Sequence, residues 1–153
     1  MKKIIIILFL TFLSCSKDTR EIPPIHTYQY SLNELELLNR INIYRDSIGL
    51  NTLQNNQHIS YICSEHNIYM IESGRINHGY FQYRADNLTQ TLDAYRVGEN
   101  IAYNYQTPKS TLNAWLNSTG HKQNIEGNYT DFGLSIIRGT NQRNYITLIL
   151  IKK

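Results

Sequence analysis

The sequence is poor in the residues that staple or punctuate a small exported protein. Two cysteines occur among 153 residues, Cys15 and Cys63. That is far below a disulfide framework, so the fold must rest on its own apolar core. Long apolar runs are also missing. The longest near the start is the ten-residue stretch Ile4 to Leu13, with Thr11 its only polar member, and a bilayer span needs ~20 apolar residues. No long basic run exists beyond Lys2-Lys3, and the net charge is only +3. This excludes nucleic acid as an expected partner. Tryptophan occurs once, at Trp115.

The start of the chain is a targeting segment. Lys2-Lys3 is a basic n-region and Ile4 to Leu13 suits a signal-peptide h-region. Phe12-Leu-Ser-Cys15 resembles the bacterial lipoprotein lipobox, although Phe12 stands where leucine is usual. The resemblance implies cleavage after residue 14 and a lipid on Cys15, which would anchor the protein to the membrane of a bacterial cell envelope. An ordinary signal peptide cut nearby, leaving Cys15 as a spare thiol, is the alternative. Ser16-Lys17-Asp18 resembles a short signal that sends some lipoproteins to the outer surface, and also reads as a solvated linker. Removing residues 1–14 lowers the net charge from +3 to +1, because two lysines go and no acid does. Cys63 falls inside a helical apolar pattern and reads as a small buried hydrophobe.

Residues 15–30, with Pro23-Pro24 in the middle, read as a tether. The domain occupies 31–153. Ser31-Leu-Asn-Glu34 fits a capping box. Leu32, Leu35, Leu38, Ile41, Tyr44 and Ile48 recur at helical spacing, so a helix over 32–47 is expected to bury that stripe. Residues 50–53 look extended. A second helix over 56–73 would bury Ile59, Ile62, Cys63, His66, Tyr69 and Met70, ending at Gly74. His66 on that stripe reads as a core or cleft-edge histidine rather than a metal ligand. His78-Gly79 is loop-like, and 85–92 is a short helix. Thr107-Pro108 starts another helix, which ends near Ser118. Gly120 and His121 then read as a turn just past that helix. Residues 131–137 and 144–151 are β-branched and apolar with a polar turn between them, a β-hairpin. The pattern predicts an α+β fold with a mixed sheet between helical layers.

His78, Glu99 and His121 stand at loops or element ends in apolar surroundings. Val97, Ile101 and Ala102 around Glu99 imply partial burial, and a buried carboxylate costs several kcal/mol unless paired. An imidazolium, a backbone nest or a metal ion would serve, and the two histidines are the candidates.

Asn77-His78-Gly79, Val97-Gly-Glu99-Asn100-Ile-Ala102, Trp115-Leu-Asn-Ser118-Thr-Gly120-His121-Lys-Gln-Asn124-Ile125 and Phe132-Gly-Leu-Ser135 follow in order. Together they resemble the CAP superfamily of cysteine-rich secretory, antigen 5 and pathogenesis-related 1 proteins, also called SCP-like, in its compact bacterial branch. The resemblance covers 31–153. It implies a three-layer α-β-α sandwich and a cleft with two histidines and one or two acids. His78 and His121 match the histidines, Glu99 the acid of the Gly-Glu-Asn motif, and Asn100 and Ser118 flank them. Ser118 stands where many eukaryotic members carry a second glutamate. The paired cysteines of those members are absent, which argues against sterol-export and toxin-like roles.

Three functions compete. Two imidazoles could bind Zn²⁺ or another divalent metal, with Glu99 as ligand or orienter; a metal-bound water with Glu99 as base would make a hydrolase of envelope or extracellular substrates. A Ser118–His121–Glu99 triad is conceivable. The preferred reading is a monomeric binding module for a small molecule, lipid, glycan or peptide. Tyr80, Tyr83, Tyr103 and Tyr105, four of twelve tyrosines, flank the cleft motifs. A purely structural surface domain is the third possibility.

Overall fold

The computed structural model describes residues 21–153. The signal segment, Cys15 and Ser16-Lys17-Asp18 lie outside the described residues. The chain runs through α1 (Leu32–Ser47), β1 (Gln54–Asn55), α2 (Gln57–Ser73), α3 (Phe81–Leu92), β2 (Arg96–Tyr103), α4 (Pro108–Leu116), α5 (Thr119–Ile125), β3 (Asp131–Arg138) and β4 (Asn144–Lys152). The strands form one mixed sheet in the order β1-β3-β4-β2. β1 runs parallel to β3, and the other pairs are antiparallel.

Helices α2 and α3 cover one face of this sheet, around a core of Ile59, Ile62, Cys63, Leu88, Ile149 and Ile151. Helices α1, α4 and α5 cover the other, where Leu37, Ile41, Trp115, Ile125, Leu134 and Leu148 meet. The result is the expected three-layer sandwich with a C-terminal hairpin. Strand β4 is apolar at nearly every position because both its faces are covered. Gly133 lets α2 lie close on β3: a Cβ there would collide with the backbone of Ser60.

The capping box of α1 is present. Ser31 Oγ accepts from the Glu34 N–H, and Ser31 N–H donates to Glu34 Oε2 at 2.7 Å. The buried stripe of this helix differs from the one expected. Leu32 is 84 % exposed, and Leu35 and Ile48 are exposed too. Leu38 and Ile41 are buried as expected, and Glu34, Leu37 and Arg45 face inward beside them. The reason is that two charged residues are stably buried by hydrogen bonds. Glu34 Oε1 accepts from Ile136 N–H at 2.7 Å and Tyr28 Oη–H at 2.6 Å. Arg45 donates to the carbonyls of Asn51, Ile125 and Gly127 at 2.6–2.9 Å. Apolar spacing alone misses such a face.

Asn56 caps α2 by accepting from His58 N–H and Ile59 N–H, and Gly74, at φ +65°, ends it. Cys63 is buried among apolar side chains, as expected, and burial pushes its thiol well above the ordinary range. The extended segment after α1 pairs only at Gln54–Asn55. Helix α3 begins four residues earlier than its sequence pattern indicates. The last part of the stretch read as a tether is docked on the domain. His26 N–H donates to His58 Nδ1 at 3.1 Å, the His26 ring stacks on Tyr61 at 4.1 Å, and Tyr30 Oη lies 2.9 Å from Ser60 Oγ.

Candidate functional site

The site forms along the free edge of the sheet. Strand β2 pairs with β4 only, with Glu99 opposite Ile149. Strand alternation sends Glu99 toward the α2–α3 layer and Asn100 toward the α4–α5 layer. One short strand thus gathers polar groups from both layers at its rim.

Glu99 is 6 % exposed and fully paired. Arg84 of α3, itself 6 % exposed, donates from Nε to Oε2 and from Nη2 to Oε1, both at 2.8 Å. Its Nη1 donates to the Gly79 carbonyl at 2.6 Å. This bidentate fork is the partner the carboxylate requires. The sequence pattern points to an imidazolium, a backbone nest or a metal ion instead. The spacing of Phe81, Arg84 and Leu88 along α3 is the signal that could have found an inward-facing arginine. His78 adds a third bond, its Nδ1 lying 2.7 Å from Glu99 Oε1, so the ring carries its proton on Nδ1 and leaves Nε2 outward. Half of the His78 side chain is exposed.

Burial alone would raise the Glu99 pKa. The His78 hydrogen bond and the Arg84 charge more than offset it, and hold the carboxyl below its ordinary value. His66 approaches Glu99 at 3.8 Å from the core side. This is not an ion pair at neutral pH, because burial and the neighbouring Arg84 push His66 down to about 4 despite the pull of Glu99. Its Nε2–H donates to the Asn77 carbonyl at 2.9 Å, and Nδ1 lies 3.2 Å from the Thr147 hydroxyl. His66 is the core and cleft-edge histidine expected.

On the other layer, the stretch around His121 is not a turn. Ser118 is the N-cap of α5, without a side-chain capping bond, and Gly120 and His121 lie inside that helix. Helix α4 stops at Leu116 and a new one begins at Thr119 after two intervening residues, so Gly120 sits within a helical turn. Asn100 Nδ2 donates to the His121 carbonyl at 2.9 Å. Asn124 Nδ2 reaches the Glu99 carbonyl at 3.1 Å and Asn100 Oδ1 at 2.8 Å, tying α5 to β2. Trp115 anchors the preceding helix by donating to the Ile101 carbonyl. A Cβ at Gly98 would strike the Tyr129 hydroxyl, so only glycine lets this layer close on the strand. Burial lowers the His121 pKa, and the nearby His78 adds to this.

A shallow cleft of about 330 Å³ opens here, lined by His78, Phe81, Val97, Gly98, Glu99 and Asn124. A larger cavity of about 550 Å³ lies behind Arg84, between α2, α3 and the N-terminal segment. Of the four tyrosines expected near the cleft, Tyr80 and Tyr83 line that larger cavity. Tyr103 packs on Tyr145, with Arg143 over its ring. Among the described residues, no three His, Cys, Asp or Glu side chains gather into a set able to hold a metal ion. Glu99 is spent on Arg84 and His78, so it fits the role of an orienter and not that of a third ligand. The two imidazoles are what remains for a metal. A Ser118–His121–Glu99 relay lacks its link from acid to base, since Glu99 is bonded to His78.

Comparison with known proteins agrees with this architecture. The curated relative YlbC of Bacillus subtilis, described as an uncharacterized membrane protein, is 30 % identical over 118 residues, covering 74 % of this chain and 34 % of its own length. The chain therefore spans about a third of that relative. An outer surface protein of Borrelia burgdorferi superposes with a TM-score of 0.74 at 21 % identity, over 84 % of this chain and 98 % of its own. An extracellular protein with an SCP domain from Bacillus anthracis gives 0.69 at 25 %, over 79 % of this chain and 40 % of its own. The family model for cysteine-rich secretory proteins matches residues 38–150, nearly the whole folded domain, and the chain belongs to that family, CAP.

Proposed function

We propose that this domain is a binding module of the bacterial cell surface, held to the envelope by lipid on Cys15, and that the cleft beside His78 recognises an extracellular or envelope ligand. The observation that carries this reading is the bidentate Arg84–Glu99 pair. A carboxylate held ionised, with both oxygens occupied, cannot readily serve as a general base, which needs a pKa near the working pH. What it does well is fix the His78 ring and present Nε2 to the cleft. The extracellular and outer-surface relatives support an exported location.

For a divalent metal such as Zn²⁺, the two imidazoles are the candidate donors. It would take His78 Nε2 and His121 as protein donors, with Glu99 behind His78, and would supply open coordination positions to an anionic or carbonyl ligand. Two protein donors fall short of the three or four of ordinary zinc sites, so weak binding is expected.

Native mass spectrometry of the domain after incubation with a bacterial envelope extract tests the reading. A bound mass carried by the wild type and lost from His78→Ala supports it. An unchanged bound mass in that variant overturns it. Hydrolysis products that appear with wild type and vanish with Glu99→Gln would instead assign a hydrolase.

A further inference from the structure

The larger cavity has a composition of its own. Tyr61, Glu65 and Tyr69 recur at four-residue spacing on α2, so a carboxylate stands between two rings on one helix face. Tyr80 and Tyr83 close the opposite side from α3. Tyr69 and Tyr80 meet nearly at right angles, with an interplanar angle of 82° and centroids 5.2 Å apart, which makes an aromatic corner. Tyr80 holds that position from a left-handed backbone, φ +58°, that a bulky side chain rarely adopts. Its ring and that of Tyr83 are 71 % and 74 % exposed at the mouth. Pro23, Pro24 and His26 of the docked N-terminal segment form the remaining wall.

The charge balance of these walls is lopsided. Arg84 reaches the cavity, but Glu99 neutralises its guanidinium. His66 is neutral at neutral pH. Glu65 is exposed and takes part in none of the ion pairs among the described residues. Four tyrosine rings, of which Tyr61 and Tyr69 stack one face on His26 and His66, therefore share a cavity with one carboxylate outside the ion pairs. A site of about 550 Å³ falls in the usual size range for small ligands. We propose that this cavity binds a small soluble organic cation, a quaternary ammonium head with a short polar tail, between the tyrosine faces and Glu65. The rings supply cation–π attraction and Glu65 the counter-charge. Asn87 and the tyrosine hydroxyls meet the tail. A neutral glycan would stack on the same rings and donate hydroxyls to Glu65, but would leave the charge of the carboxylate uncompensated.

The test is an NMR titration of the full chain with choline and with its uncharged carbon isostere, in which a tert-butyl group replaces trimethylammonium. Saturable shifts of the Tyr69, Tyr80 and Tyr83 ring signals with choline only are expected. Glu65→Gln and Tyr83→Ala, both at exposed positions, should keep the fold and each weaken choline binding about tenfold. Equal binding of the isostere, no saturation with choline, or unchanged affinity in Glu65→Gln would overturn the proposal.

Discussion

Replacing Arg84 with methionine removes the cation from beside a buried carboxylate and keeps most of the side-chain volume. Glu99 loses the 2.8 Å bonds from Nε and Nη2, and the Gly79 carbonyl loses its 2.6 Å donor. Glu99 keeps His78, which is half exposed and supplies one bond. Breaking a buried pair by removing one partner costs about 3–5 kcal/mol, a large share of the ~5–15 kcal/mol that holds a domain folded. Denaturant unfolding at neutral pH measures the loss. The double variant Arg84→Met with Glu99→Gln should recover at least half of it, since no buried charge is then stranded. Glu99 in Arg84→Met should also titrate upward, so this variant loses less than the wild type as the pH is lowered. A loss below about 1 kcal/mol, or a double variant as unstable as the sum of the singles, would refute the reasoning.

His66 makes stability pH-dependent. The unfolded chain takes up a proton there below the ordinary value of 6.5 and the folded domain only below about 4. Stability therefore falls as the pH drops through that window, by about 3 kcal/mol at most, and His66→Gln should flatten this part of a stability–pH curve measured by urea unfolding. His121→Ala should move the melting temperature by less than about 2 °C, because its ring makes no described hydrogen bond and only its carbonyl holds Asn100. Gly98→Ala should cost about 1–3 kcal/mol by wedging Tyr129 away from β2, and thermal melting monitored by circular dichroism will register it.

How much of this was legible in the sequence depends on how local the cause is. The caps at Ser31 and Thr107 and the hairpin strands follow from neighbouring residues, and they stand where the pattern puts them. Glu99 and His78, 21 positions apart, were legible as a pair because a carboxylate among apolar residues must find a partner. Arg84 was not, because its role depends on which face of a weakly patterned helix meets the sheet. The inward face of α1 escaped for the same reason: Glu34 and Arg45 are buried by bonds to residues some 80 to 100 positions away. Around His121, glycine suggested a turn, whereas packing on Asn100 and Asn124 supports a helix that contains it. The docking of residues 26–30 is likewise tertiary, set by His58, Ser60 and Ser135.

If Glu99 is an ionised positioning group behind His78, as the proposed binding role requires, its carboxyl titrates below the ordinary range. A pH titration of carboxyl-carbon chemical shifts, with Glu99 assigned, tests it directly. The Glu99 midpoint is expected below the ordinary glutamate value, because the His78 hydrogen bond and the Arg84 charge outweigh the effect of burial. A midpoint at about pH 6 to 7, the range of a working general acid or base, would contradict it.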